Sequence, residues 1–180
     1  MRFSSRPNRL RRRRSADEGQ SLVEFALVLT PLFLILLGII QFGFIFNAYI
    51  TITNATREAA REGSIYVYDR TMTAGQNDAA RNAKIRTTFQ NSLNLLRSTA
   101  PNFTTTGTWT QSGDTFTNGD LIVTYVLPVD IADTDMRTGQ TVTIRVNYHQ
   151  DLVIPMIAAL LPHDINNRMI LSGEVTMVIN

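Results

Sequence analysis

Cysteine is missing from this 180-residue chain, so no disulfide contributes to its stability. Because many exported proteins also lack the residue, its absence assigns no compartment. Histidine is nearly missing: His149 and His163 are the two, one near a strand end and one in a Pro-His-Asp turn. Their spacing resembles no zinc motif, and each reads as a surface or loop residue. No serine stands in a nucleophile elbow, no glycine-rich loop is built to cradle phosphate, and there are no internal repeats. Asp130, Asp133 and Asp135 could offer oxygens to Ca²⁺. Their loop lacks the glycine and terminal glutamate of an EF-hand, however, and reads as a solvated acidic turn. The expectation is a protein that is not an enzyme, with no catalytic residue, no cofactor and no metal site.

Charge is scarce and unevenly placed. Charged residues make up 18% of the chain, with a formal net charge of +2. Seven arginines (Arg2, Arg6, Arg9 and Arg11 to Arg14) precede Gly19 against two carboxylates, Asp17 and Glu18, so this leader carries +5 and residues 20–180 carry −3. The basic pI of 9.3 therefore describes the leader. It gives no support for nucleic-acid binding by the folded part, and the arginine tract reads as an orientation signal.

What the chain has instead is a long apolar run. From Leu22 to Phe46 only Glu24, Thr30 and Gln41 carry side chains that strongly prefer water. At about 1.5 Å per residue these 25 residues cover roughly 37 Å, more than the ~30 Å hydrocarbon core of a bilayer. The stretch exceeds the h-region of a secretory signal, and no small-x-small site closes it, so it should stay attached. With the arginines ahead of it, the positive-inside rule keeps the N-terminus cytoplasmic and sends everything after Phe46 out.

The junction between leader and span holds the most specific chemistry. Gly19 lacks a Cβ and disfavours helix, which would leave an extended, accessible backbone for a protease at the membrane surface. A cut after Gly19 creates an α-amino group on Gln20, four residues before Glu24. That amine, with a pKa near 7.7 to 8.0 in water, can pair with the Glu24 carboxylate, within one helix or from a neighbouring copy shifted along its axis. Glu24 is in any case tolerated near the interface, where the positive end of the helix dipole favours a carboxylate.

The segment Gly19-Gln20-Ser21-Leu22-Val23-Glu24-Phe25-Ala26-Leu27-Val28 resembles a type IV prepilin cleavage motif. Together with Pro31, Phe42-Gly43 and Ala59-Ala60-Arg61-Glu62-Gly63, it resembles the TadE-like family of minor pseudopilins over about residues 19–63. The resemblance implies a tight-adherence (Flp) type IV pilus system. Its partners would be a prepilin peptidase that cuts between Gly19 and Gln20, other pilins and pseudopilins, and an inner-membrane assembly platform. Gln20, Glu24 and Phe25 would then form the subunit-pairing group. Pro31, inside the span, removes a backbone donor and should bend the helix, either as a functional hinge or as an ordinary membrane-helix proline. The alternative is an uncleaved single-pass membrane protein whose exported domain binds a ligand or surface.

Beyond Gly63 no family motif is legible. One helix is expected from about Ser21 to Gly63, roughly 64 Å if unbroken, with Tyr49, Ile52, Thr56, Ala59 and Ala60 on one broad face. A loop over Thr71–Gln76 should precede a second helix, capped by Asn77 or Asp78, with Ala79, Ala83, Ile85 or Arg86, Phe89, Leu93 and Leu96 repeating at helical spacing and Pro101 ending it. Phe103 to Asn118 reads as a loop or weak edge hairpin anchored by Trp109 and Phe116. Leu121–Leu127, Thr141–Tyr148 and Met169–Ile179 read as strands, the last two alternating with Val142, Ile144, Val146, Tyr148 and Leu171, Val175, Met177, Ile179 inward. Between those two strands, Leu152–Leu161 suggests a short apolar helix covering the core. The expected architecture is α+β: a basic leader (1–19), a helix (20–63) with its span at about 22–46, and an exported domain (64–180) with a mainly antiparallel sheet.

Overall fold

The computed structural model describes residues 10–93, 96, 103, 107–126 and 137–180, with the backbone alone over 10–18. Its first element, α1, runs from Leu10 to Ser64. It begins nine residues before Gly19, so Gly19 lies within helix and not in an extended segment as its sequence suggests. The cost of a helical glycine, about 1 kcal/mol, is small beside the good helix formers around it. α1 ends where the Ser64 hydroxyl bonds the Arg61 carbonyl at 2.8 Å and the chain turns outward.

α2 (Ala74–Ser92) is started by Thr73, not by Asn77 or Asp78. Thr73 Oγ1 accepts from Gln76 N at 3.3 Å while Gln76 Oε1 accepts from Thr73 N at 2.9 Å. This reciprocal capping box satisfies two otherwise orphaned N–H groups. Asn77 is one turn inside, and its amide ties the preceding loop down by accepting from Asp69 N and donating to Asp69 O, at 2.8 and 2.9 Å.

Five strands form one antiparallel meander in the order β1 (Thr110–Ser112), β2 (Thr115–Asn118), β3 (Leu121–Val126), β4 (Thr141–Asp151) and β5 (Arg168–Val178). Two-residue turns join the first three strands, with Gly113 (φ 58°) and Gly119 (φ 60°) supplying the left-handed backbone that tight hairpins need. The long strands pair over eleven residues, from Thr141 with Val178 to Asp151 with Arg168. Between them the chain makes one short helix, α3 (Pro155–Ala158), shorter than the Leu152–Leu161 stretch of the sequence reading because Pro155 opens it and Pro162 follows close behind.

The sheet turns one face to the helices. Val142, Ile144, Val146, Tyr148, Leu121, Val123, Tyr125 and Leu171 are buried there with Ile52, Ala55, Ala59, Ala60, Ile85 and Phe89. The opposite face carries polar pairs: Thr143 with Thr176 at 2.8 Å, Thr115 with Thr124 at 3.2 Å, and Ser172 with Asn147 at 3.0 Å. Gly173 in β5 lets α1 approach closely, since a Cβ there would meet Thr56 Oγ1 at 3.0 Å and Ile52 Cγ2 at 3.2 Å. The chain is thus α+β: a long apolar N-terminal helix followed by a helix-covered antiparallel sheet.

Two expected faces are corrected. On α1 the buried seam is Ile45, Ala48, Ile52, Ala55, Thr56, Ala59 and Ala60, and Tyr49 points away from it. On α2, Ala79 and Ala83 are exposed, while Asn77, Asp78, Arg81, Asn82, Ile85, Arg86 and Phe89 are buried. Arg137, distant in sequence, explains this polar stripe. Its Nε and Nη2 bond both Asp78 carboxylate oxygens at 2.6 Å, and its guanidinium lies 4.2 Å from the Tyr125 ring centre. Burial by itself would lower the Arg137 pKa, but the hydrogen bonds and charge of Asp78 outweigh it and raise the value. Arg81 rests against the rings of Tyr66 and Tyr125, at 4.9 and 5.7 Å, and the Tyr125 hydroxyl donates to Asn82 at 2.6 Å. The acidic turn at Asp130, Asp133 and Asp135 lies outside the described residues, as do Leu127, Pro101 and the leader's Arg2, Arg6 and Arg9.

Candidate functional site

The inner part of α1 is where the chain shows surface it does not use itself. Leu22, Val23, Phe25, Leu27, Val28, Leu32, Phe33, Ile35, Ile39 and Phe42 are all more than half exposed, an apolar cylinder that the rest of the molecule leaves largely uncovered. A soluble monomer rarely exposes a contiguous apolar patch beyond a few hundred Å². A bilayer or neighbouring apolar helices must cover this one, and the helix is long and apolar enough to cross a membrane. One such helix points to single-pass membrane anchoring.

At its inner end Gly19 and Gln20 are exposed on the helix surface, and nothing lies within 4 Å of where a Gly19 Cβ would stand. Among the described residues, then, packing places no demand for glycine at this position. One turn later the Glu24 carboxylate accepts a hydrogen bond from Gln20 Nε2 at 3.0 Å. In the full-length chain the Gln20 side chain already occupies the acceptor that a Gln20 α-amine would seek after cleavage. The backbone N of Gln20 and the carboxylate of Glu24 share one helix face, as residues four apart do. Phe25, 62% exposed, stands next to this polar pair and begins the uninterrupted apolar surface.

Pro31 sits inside α1 and contributes no N–H. Next to it Thr30 Oγ1 donates to the Ala26 carbonyl at 2.9 Å. A missing donor at Pro31 and a hydroxyl bonded back one turn are the two features that favour bending of a membrane helix. Gln41, the third polar residue of the run, has a role that sequence reasoning missed. It is fully buried, and its Oε1 accepts the backbone N–H groups of Val153 and Ile154 at 3.0 and 3.2 Å. The partner strand connection is more than a hundred residues away in sequence, and no local pattern announces it.

Elsewhere, among the described residues, no group of three or more His, Asp or Glu side chains could hold a metal ion. His149 stands between Asp120 and Asp164, each 3.6 Å from a ring nitrogen, where it bridges the β2–β3 turn and the β4–β5 connection. Asp164 also accepts the backbone N–H groups of Arg168 and Asn166, which with His149 hold its carboxyl below the usual range. His163 is exposed, with Nδ1 2.8 Å from the Leu161 carbonyl.

Residues 19–61 match the family model described as TadE-like protein. That supports the TadE-like assignment, and the matched stretch is the inner and middle part of α1 together with the Gly19–Gln20 junction. The family suggests involvement in the Tad pilus system. No curated protein and no solved structure matches the chain.

Proposed function

We propose that this TadE-like chain is a minor pseudopilin of a tight-adherence type IV pilus, cut after Gly19 by a prepilin peptidase and taking part in pilus assembly or priming. The observation that carries the reading is the coincidence at one helix end of an accessible Gly19–Gln20 bond, a Glu24 carboxylate one turn on, and an apolar surface left uncovered from Leu22 to Phe42. The leader stays on the cytoplasmic side, and the sheet domain stands outside the inner membrane.

The mechanism follows from what each part can do. Inside the bilayer the apolar cylinder gains little from meeting another helix, because lipid tails are as apolar as its own side chains. Selective association then depends on packing and on polar groups. Cleavage supplies one: the new Gln20 ammonium of one copy can meet the Glu24 carboxylate of a neighbour and set the axial register between helices. Once subunits leave the bilayer for a filament, the same side chains, each worth about 1.5–3 kcal/mol when fully buried, favour tight bundling. Cyclisation of Gln20 to pyroglutamate would remove the charge and with it the pairing.

Glu24→Ala should leave insertion and cleavage intact and impair incorporation into pili; normal piliation would count against the pairing. Gly19→Leu should keep the precursor at full length on a gel, and processing to the usual size would refute the cut site.

A second reading has one observation in its favour. α1 is helical straight through Gly19 back to Leu10, and peptidases generally act on extended backbone. If that helix persists at the membrane, the chain is an uncleaved single-pass protein whose outer domain binds a ligand or surface.

A further inference from the structure

The connection between β4 and β5 carries eleven successive residues without a polar side chain, Leu152 to Pro162. Leu152 and Ala158 join the hydrophobic core, and Leu161 packs against it. The connection packs along α1 on the membrane side of the domain, with Ile157 Cδ1 3.9 Å from a Cβ built on Gly38, and with Met156 lining a cleft formed by Leu29, Phe33, Leu34 and Leu37. Counted from Leu22, a ~30 Å hydrocarbon layer at 1.5 Å per residue ends about twenty residues on, near Gln41. Met156 therefore lies on the bilayer side of that boundary. Val153 and Leu160 of the same connection are 65% and 80% exposed.

Irregular backbone survives at membrane depth only if its polar groups are satisfied within the protein, and most of this loop's N–H groups have such partners. Gln41 takes the N–H groups of Val153 and Ile154, and Pro155 has none. Ile157 and Ala158 donate to the Ile154 carbonyl, Ala159 to Pro155, Leu160 to Ile157 and Leu161 to Ala158. Polar groups flank the loop where it leaves and rejoins the sheet: the Asp151–Arg168 ion pair at 2.7 Å, His163 and Asp164. An apolar, internally bonded tip below a charged collar has the chemistry of a membrane-seated segment.

We infer that the Val153–Leu161 loop is a second membrane contact, inserted beside α1 into the hydrocarbon of the leaflet facing the exported domain. Gln41 is then the positioning residue that allows its backbone to enter. The occupant of the exposed surface is lipid acyl chain. The inference rests on the membrane span of α1 and is independent of cleavage or pilus assembly.

Because the chain has no native cysteine, single nitroxide labels can be placed cleanly. Met156→Cys and Leu160→Cys would be made in the full chain, with Leu32→Cys in the exposed apolar cylinder and Val67→Cys in the outer domain for comparison. Each protein is reconstituted at low density in phosphatidylcholine vesicles, and collision of the label with O₂ and with a water-soluble nickel complex is measured. The expected O₂-to-nickel ratio at Met156 and Leu160 is several-fold above that at Val67 and close to that at Leu32. A ratio like Val67 at both loop sites, with Leu32 in lipid, overturns the insertion while leaving the span standing. An aqueous signal at Leu32 removes the span and the insertion together. Protection from both reagents that disappears as the lipid-to-protein ratio is raised assigns the surface to a second copy and overturns the lipid assignment. Gln41→Leu should shift the Met156 label toward the aqueous value; no shift contradicts the positioning role.

Discussion

The two halves of α1 belong to one unbroken helix and use opposite rules. The inner half is rich in Leu, Ile and Phe and leaves them exposed, whereas the outer half buries small residues, Ala48, Ala55, Ala59 and Ala60, to the last square ångström. The more hydrophobic half is the less buried one. Apolarity therefore indicates that a face will be covered, and residue size indicates by what: small side chains let a sheet approach within van der Waals contact, and large ones suit lipid or other helices.

Paired substitutions, one in the domain that the outer half packs against and one in the inner half, sharpen that contrast, with urea unfolding of the full chain in detergent followed through Trp109, which packs at the edge of the core. The largest effect should come from Arg137→Met, which leaves the buried Asp78 carboxylate without its bidentate partner and should cost about 3–5 kcal/mol. Phe33→Ala, on the exposed cylinder, should leave unfolding of the domain unchanged. If both shift the midpoint equally, the halves are not energetically separate.

Glycines offer the next comparison. Gly173→Leu drives a side chain into Thr56 and Ile52 and should destabilise the domain by about 1–3 kcal/mol, while Gly43→Leu has nothing within 4 Å to meet and should be neutral. A destabilising Gly43→Leu would mean that the inner half touches the domain more widely than α3 and Gln41 allow.

The smallest effect concerns pH. Asp164 is held below its ordinary pKa by the backbone N–H groups of Arg168 and Asn166 and by His149. A depressed carboxylate contributes its stability fully above its unfolded pKa, about 3.9, and loses it as pH falls through the lower folded value. Asp164→Asn should therefore differ from the parent at pH 6 and converge with it in acid; a gap that persists at pH 2 would contradict the assignment.

How much of this was legible in the sequence differs by region for physical reasons. The long strands were readable because one face is buried and one solvated, so Val142, Ile144, Val146 and Tyr148 alternate cleanly with polar residues. The apolar run was readable because it is local. The phase of α2 was not: Ala79 and Ala83 look like core, and Asp78, Arg81 and Asn82 look like surface, until Arg137 and Tyr125 arrive from the far side of the chain to satisfy them. Gln41 was visible as a polar residue in the span, but its partners at Val153 and Ile154 were not. Tyr49 missed the seam because the broad face drawn through it is one residue wider than the contact that α1 makes.

Intact-mass analysis of the native polypeptide from cell membranes bears most directly on the central claim, that a new amine is made at Gln20 on a helix the finished protein keeps. A mass equal to residues 20–180, with or without a small N-terminal modification, is the expected result. A mass that includes Met1 and the arginine leader, or one that lacks the apolar run, would contradict it.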